Sequence, residues 1–313
     1  MNPFSFSFNA VAPILVMVLL GIFLYRIKAV DDDLAAKLNR ICFSLFVPMQ
    51  VFKGVYRTNL KAVVDTQLLV FTIVSTLIVI GLACALVPRV IKGRPSQGAF
   101  IQGIFRGNIA LIGLSLMTGL YGSESAGLVS LVIALTIILY NASATYILLV
   151  FSGEGKISGK NILKKIVTNP YLISCTLGLI IAYLQPPLAG WITKSVDDIA
   201  GIGTPLALIA LGASLRISDV RKSGLLALAA GLIRQAVIPA VVIGVALLLG
   251  FRDERLGVIF CIFASPTAVG SYVLAKNMHS DHVLAGQILL MTTLLSFFTM
   301  MIGLTLLRSL GFL

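Results

Sequence analysis

The chain has 313 residues, of which 58% are hydrophobic and 12% charged, and its mean hydropathy is +1.03. Soluble domains carry roughly 25% charged residues, so this composition excludes an ordinary soluble protein and indicates an integral membrane protein. The net charge of +12 does not indicate a nucleic-acid partner, because the basic residues are spread over many short loops. The four cysteines lie singly in apolar segments, which predicts neither a disulfide framework nor a zinc site.

Apolar segments separated by short polar connectors recur along the whole chain. Ten of them are predicted to be transmembrane helices, since blocks of about 17 to 27 apolar residues match the ~30 Å hydrocarbon core and backbone groups in lipid must be paired internally. They are residues 9–25, 38–56, 67–90, 97–121, 125–151, 169–184, 196–215, 222–250, 255–276 and 282–307, numbered below as spans 1 to 10.

The sequence repeats itself across a polar connector at residues 152–168. An offset of 157 residues superimposes Pro13 on Pro170 and Gly21 on Gly178, and an offset of 159 lays residues 107–128 on 266–287. Residues 1–151 and 169–313 are therefore predicted to be two five-helix repeats. Because five is odd, the second repeat enters the membrane from the opposite side, which gives the inverted repeats typical of secondary transporters.

Loop charges predict the orientation of these repeats. With the N-terminus outside, the inner loops collect far more Lys and Arg than the outer loops. The bias predicts a multi-pass protein of the inner cell membrane with both termini outside and the connector in the cytoplasm.

Two spans are predicted to break near mid-membrane. Span 9 contains the stretch FASPTAVGSYVLAK, in which Pro266 lacks an amide hydrogen, and the offset of 159 places Gly107 of span 4 opposite it. Taken alone, Pro266 could be a simple kink whose freed carbonyl is bonded by a serine. Its pairing with Gly107 favours two broken helices that cross, whose opened backbone is stable only where protein, water or ligand meets it.

Polar side chains around this predicted crossing are the candidate binding residues: Asn108, Ser115, Ser265, Thr267, Ser271, Tyr140 and Asn141, beside Gly107 and Pro266 themselves. Arg106 either pairs with a substrate carboxylate or bonds the freed carbonyls of span 9, and the sequence leaves both roles open. Arg234 in span 8 is an intramembrane charge for which a structural role is favoured, because its helix flanks the crossing.

These residues lie in stretches that resemble the auxin efflux carrier family, in particular its bacterial permease branch. The stretches are VPMQVFKGV (47–55), GAFIQGIFRGNIALIGLSL (98–116), ILYN (138–141), PLALIALGASL (205–215), IRQAVIPAV (233–241) and ASPTAVGSYVLAKNM (264–278).

The resemblance implies a ten-helix, all-α membrane fold related to plant auxin exporters and distantly to bile acid sodium symporters. Spans 1, 2, 6 and 7 would form a scaffold, and spans 3–5 and 8–10 a transport domain that carries a small organic anion, such as malate or an auxin-like acid, at the crossing of spans 4 and 9. The plant exporters usually have proline at both crossings, whereas this chain has Gly107 in span 4.

Other functions remain as alternatives to an elevator-type anion transporter or facilitator. A sodium-coupled anion symporter is one, although no acidic residue lies at the crossing to favour a cation, and proton-coupled or uncoupled movement is preferred. A non-transporting membrane sensor is another. No catalytic motif, metal site or cofactor motif is found, so an enzyme is not expected. A homodimer is left open.

Overall fold

The structure, a computed structural model, describes residues 2–57, 65–122, 126–152, 167–168, 170–214 and 224–313. Most of the predicted connector, 153–166, lies outside the described residues. In the first half the helices are α1 (Pro3–Arg26), α2 (Asp32–Ile41), α3 (Val47–Tyr56), α4 (Thr66–Val90), α5 (Arg94–Phe105), α6 (Leu114–Tyr121) and α7 (Ala126–Ser152). In the second half they are α8 (Pro170–Leu184), α9 (Gly190–Ser214), α10 (Leu225–Leu232), α11 (Ile238–Leu248), α12 (Asp253–Ala264), α13 (Gly270–Asn277) and α14 (His282–Ser309).

Short π-helical turns join some of these helices. Cys42–Phe46 connects α2 to α3, Ile109–Gly113 leads into α6, and Ile233–Val237 connects α10 to α11. Such turns are uncommon in proteins, and those that occur are often found at functional sites. Two of the three, Ile109–Gly113 and Ile233–Val237, lie against α12, and Ile233–Val237 also lies against α5.

The described part of the chain is helical, which confirms the all-α class. Helices occupy each of the ten predicted segments. Within the described residues, five stretches are long and apolar enough to cross a membrane: Ser7–Arg26, Thr66–Val90, Gly190–Ser214, Leu225–Leu248 and His282–Ser309. The total of ten spans stays a prediction, because the other segments are shorter or divided.

One group of helices is formed by α1 with α9 and by α3 with α8 and α9. Glycine brings α1 and α9 close together. A Cβ on Gly21 would overlap the carbonyl oxygen of Ile209, and a Cβ on Gly212 would overlap that of Val18. The two backbones therefore touch at a distance that only glycine allows.

The contacts in this group recur at the sequence offset of 157. Gly178, which aligns with Gly21, faces Phe52, which aligns with Ile209: a Cβ on Gly178 would lie 3.2 Å from the carbonyl oxygen of Phe52. Likewise, a Cβ on Gly203 would lie 3.0 Å from the carbonyl oxygen of Phe46, and these two positions are themselves 157 residues apart.

A second group surrounds α5 and α12. Helix α5 packs against α4, α7 and α14, while α12 packs against α11 and α6. Residues 98–105 of α5 and 256–264 of α12 are buried on every side, which is expected for helices without a polar face. The two groups meet where α1 contacts α6 and α14, and where α3 contacts α7.

The close contact between α1 and α9 can be tested within one helix. Gly212→Ala is expected to lower the free energy of unfolding by roughly 1–3 kcal/mol, because the new methyl group meets backbone that cannot rotate away. Gly201→Ala in the same helix has nothing within 4 Å of the added carbon and serves as the control. It is expected to be neutral or to stabilise by up to about 1 kcal/mol. Thermal unfolding in detergent measures both, and equal melting temperatures would contradict the packing described.

Candidate functional site

Two buried helices end next to each other at the centre of the second group. Helix α5 ends at Phe105 and α12 ends at Ala264. The residues that follow form an isolated antiparallel bridge between Gly107 and Thr267. Across it, the Asn108 amide donates to the Pro266 carbonyl at 2.7 Å and the Ala268 amide donates to the Arg106 carbonyl at 2.9 Å. We call residues 106–108 and 265–268, joined in this way, the crossing.

Local chemistry explains why α12 stops where it does. Pro266 has no amide hydrogen to continue the helix, and the residue before a proline is driven out of the helical region. Ser265 accordingly has an extended backbone, with φ −61° and ψ 140°. The bridge pairs residues 160 apart, one more than the offset of 159 that aligns the two segments in sequence.

Gly107 is required for space rather than for its backbone freedom. Its φ is not positive, so backbone freedom is not what the position uses. Instead, a Cβ on Gly107 would overlap Nη2 of Arg234 and lie 3.1 Å from the Ile262 carbonyl oxygen. The missing side chain makes room for the guanidinium.

Arg234 binds the C-terminal ends of both α5 and α12 and is fully buried. Its Nη1 donates to the carbonyls of Ile104 and Phe105 at 3.3 and 3.1 Å, at the end of α5. Its Nη2 and Nε donate to Ile262 and Ser265 at 3.0 and 2.9 Å, at the end of α12.

Each helix C-terminus carries a partial charge of about −0.5, so the two ends together oppose roughly one positive charge. The guanidinium of Arg234 is therefore compensated by backbone dipoles. The four acceptors described above are neutral carbonyl oxygens, and no carboxylate pairs with Arg234 among the described residues.

One face of the crossing is committed to the protein interior. The Thr267 hydroxyl donates to the Gly103 carbonyl at 2.6 Å, and the Thr267 amide donates to the Thr292 hydroxyl at 3.1 Å. The Ser265 hydroxyl donates to the Cys261 carbonyl. The hydroxyls of Ser265 and Thr267 are thus bonded within the protein, and Gly107 faces Arg234.

The opposite face presents different residues, because side chains alternate along extended backbone. Arg106, Asn108, Pro266 and Ala268 therefore share this second face. Asn108 is 3% exposed, and its Nδ2 has no hydrogen-bond acceptor among the described residues. A buried donor left unpaired costs about 1–3 kcal/mol, so the position suits a ligand that supplies an acceptor oxygen.

Arg106 lies between α7 and the start of α13. Its Nη2 donates to Oδ1 of Asn141 at 2.6 Å, and a Cβ on Gly270 would lie 3.2 Å from the same nitrogen. Gly270 is the first residue of α13, where the helix dipole is positive. A cation and a positive helix end side by side favour an anion in their neighbourhood. The structure thus brings Arg106 and Asn141 together.

The remaining predicted residues are placed as follows. The Tyr140 ring packs edge-on against Phe105, with centroids 5.8 Å apart. The Ser271 hydroxyl is buried and has no hydrogen-bond partner among the described residues. Ser115 lies against α9, with its hydroxyl 3.5 Å from that of Thr204.

Several polar residues of the site escaped the sequence analysis. Gln102 donates from Nε2 to the Ser271 carbonyl at 2.9 Å, and Thr292 accepts from the crossing as described. Gln50 of α3 donates to the Thr204 hydroxyl at 2.8 Å. Each of these residues is a polar side chain in an apolar segment, which could have marked it as a candidate. Its hydrogen-bond partner could not be predicted, because the bonded residues are 25 to 169 positions apart in the sequence.

The dependence of the crossing on Arg234 gives a stability prediction. Arg234→Met is expected to lower the free energy of unfolding by at least about 3 kcal/mol, because several buried carbonyls lose their donor. Arg234→Lys keeps the charge but cannot span the four carbonyls and should be intermediate.

Arg252→Met is the matched control for thermal unfolding in detergent. Arg252 also donates to two backbone carbonyls, those of Leu247 and Phe251, but at an exposed helix junction. Its replacement should change stability by about 0.5 kcal/mol or less. Melting temperatures that fall equally for Arg234→Met and Arg252→Met would contradict the role assigned to Arg234.

Comparison with known proteins identifies the family of this chain. Residues 6–304 match the family described as membrane transport protein. An uncharacterized transporter of Methanothermobacter thermautotrophicus is 26% identical over 299 residues, covering 94% of this chain and 96% of the relative. A protein of Rhizobium meliloti, provisionally named a malonate transporter, is 24% identical over 310 residues, covering 96% and 95%.

The family match spans nearly the whole chain and confirms the resemblance found in the sequence. The chain therefore belongs to the membrane transport protein family, which is the auxin efflux carrier family, and is a multi-pass membrane protein.

Proposed function

We propose that the protein is a secondary transporter or facilitator of a small organic anion, which it binds on the Arg106–Asn108 face of the crossing. The observation that carries this proposal is the buried, unpaired Nδ2 of Asn108, which shares a face with Arg106. A carboxylate oxygen is the acceptor that such a donor needs, and the first residue of α13 adds a positive helix end beside Arg106.

A dicarboxylate is the first candidate ligand. The Rhizobium relative carries malonate in its name. Malonate has two carboxylates, of which one would accept from Asn108 and the other would lie near Arg106 and Asn141. Malate and auxin-like acids are the further candidates, and of the predicted lining residues we assign Tyr140, Ser271 and Pro266 to the walls of this site.

We infer that residues 1–151 and 169–313 are inverted five-helix repeats whose fourth and ninth spans break and cross. Two observations support this. Contacts between α1 and α9 and between α8 and α3 recur at the offset of 157. The bridged segments also run antiparallel, as a two-fold axis between inverted repeats requires. The excess of basic residues in the inner loops supports both termini outside an inner cell membrane.

Alternating access is proposed to come from movement of one helix group past the other. The group of α1, α2, α3, α8 and α9 would be the scaffold, and the rest of the described helices, which surround α5 and α12, would be the transport domain. The crossing is buried at Asn108 and Thr267, so a ligand needs a movement of the surroundings to enter. Helices α1 and α3 supply the scaffold surface along which that movement would run.

The binding proposal predicts the effect of removing one amide. Asn108→Ala is expected to reduce malonate uptake into proteoliposomes about 10- to 100-fold, since hydrogen bonds to charged groups are worth ~1.5–3 kcal/mol. Malonate should also no longer raise the melting temperature of the variant. Asn9→Ala, at an exposed position of α1, is the matched control and should transport normally. Unchanged uptake kinetics in Asn108→Ala would overturn the proposed site.

The coupling ion can be predicted from Arg234. Transporters with broken helices bind sodium through unwound carbonyls and helix C-termini. Here the guanidinium already takes four such carbonyls, which favours transport without sodium. Replacing sodium by potassium on both sides of proteoliposomes should leave the rate of malonate uptake unchanged. A rate that rises steeply with sodium would instead support the sodium-coupled alternative.

A further inference from the structure

We propose that the protein is an anion exchanger, in which the transport domain crosses the membrane readily with an anion bound and slowly when empty. The inference rests on the proposed function above and extends it from binding to the mode of transport. It is carried by the distribution of charge in the helices around the crossing.

The segments around the crossing contain two cations, and the helices that flank them contain no acid beyond their first turns. Arg106 and Arg234 lie at the crossing, whereas α4, α5, α6, α7, α10, α11, α13 and α14 contain no Asp or Glu in their sequences. The acids of α12, Asp253 and Glu254, stand at its first turn. The formal charge inside the domain is therefore positive, whatever hydrogen bonds the two arginines make.

Backbone dipoles place this positive charge on the ligand face. The C-terminal ends of α5 and α12 meet Arg234 and offset about one positive charge. After the crossing the chain enters two further helical segments, which begin at Ile109 and at Gly270. The N-terminal end of each carries a partial charge of about +0.5. An empty site therefore concentrates positive charge beside Asn108, and a bound dicarboxylate brings two negative charges to it.

Moving net formal charge across the membrane is disfavoured and depends on voltage. One elementary charge that crosses 100 mV changes an equilibrium about 50-fold. The loaded domain, with a dianion against two formal positive charges, is balanced and escapes this dependence. The empty transport domain keeps its excess of positive charge, so the step in which it returns empty across the membrane limits net uptake. When the domain returns with an internal anion bound, this limit is removed.

The test compares uptake of labelled malonate into proteoliposomes preloaded with unlabelled malonate and into proteoliposomes without it. Preloading is expected to accelerate uptake at least about tenfold. A potential imposed with potassium and valinomycin should change the rate into empty vesicles more than the rate into loaded ones. Equal rates with and without internal malonate would overturn exchange while leaving transport intact. Failure of malonate to enter either preparation would instead overturn the proposed function and, with it, this inference.

A charge variant separates electrostatics from other causes of acceleration. Arg106→Gln removes one formal charge and should bring the ratio of loaded to empty uptake closer to one. Arg89→Gln, an exposed position at the end of α4, is the matched control and should behave as the unmodified protein. A ratio that Arg106→Gln leaves unchanged would overturn the electrostatic basis of exchange.

Discussion

The bonds between Arg234 and four backbone carbonyls are the interaction on which the site depends. Two helices that stop inside the protein leave carbonyls that lipid cannot pair. One planar guanidinium pairs groups from both helices at once, which a lysine ammonium could not do with the same geometry. Since its donors reach Ile104 and Phe105 on one side and Ile262 and Ser265 on the other, Arg234 fixes the two ends relative to each other. The missing side chain at Gly107 is the space that this arrangement uses.

That arrangement divides the crossing into a structural face and a second face that we propose is the ligand face. The structural face holds Ser265 and Thr267, whose hydroxyls bond carbonyls of the flanking helices. The ligand face holds Asn108 and Arg106, with Asn141 reaching in from α7. Polar residues that are neighbours in sequence therefore differ in role: Ser265 and Thr267 complete the protein's own hydrogen bonds, whereas Asn108 and Arg106 are the residues proposed to bind an anion.

The sequence predicted the helical segments and the neighbourhood of the candidate site, but not which of its polar residues bond within the protein. Pro266 and the unusual pair Gly107–Asn108 marked the places where α12 and α5 end, because helix-breaking chemistry is local. Arg106 and Asn141 are 35 residues apart. The sequence placed both at the candidate site but did not predict the hydrogen bond between them. Thr267 was predicted to bind the ligand. Its orientation is set by the antiparallel pairing with Gly107 and by the hydrogen bond of its amide to Thr292 of α14, neither of which is visible in the local sequence. Ser115 was expected at the crossing, and its partner Thr204 belongs to α9, 89 residues away.

The central claim is that an anion is held on the Asn108 face of the crossing. A structure determined by electron cryo-microscopy in saturating malonate tests it most directly. The account predicts density for the dicarboxylate within hydrogen-bond distance of Asn108 Nδ2 and near the Arg106 guanidinium, with Arg234 still bound to its four carbonyls. Malonate located away from the crossing, for example in the pocket lined by Tyr56, Arg57 and Gln185, would contradict it.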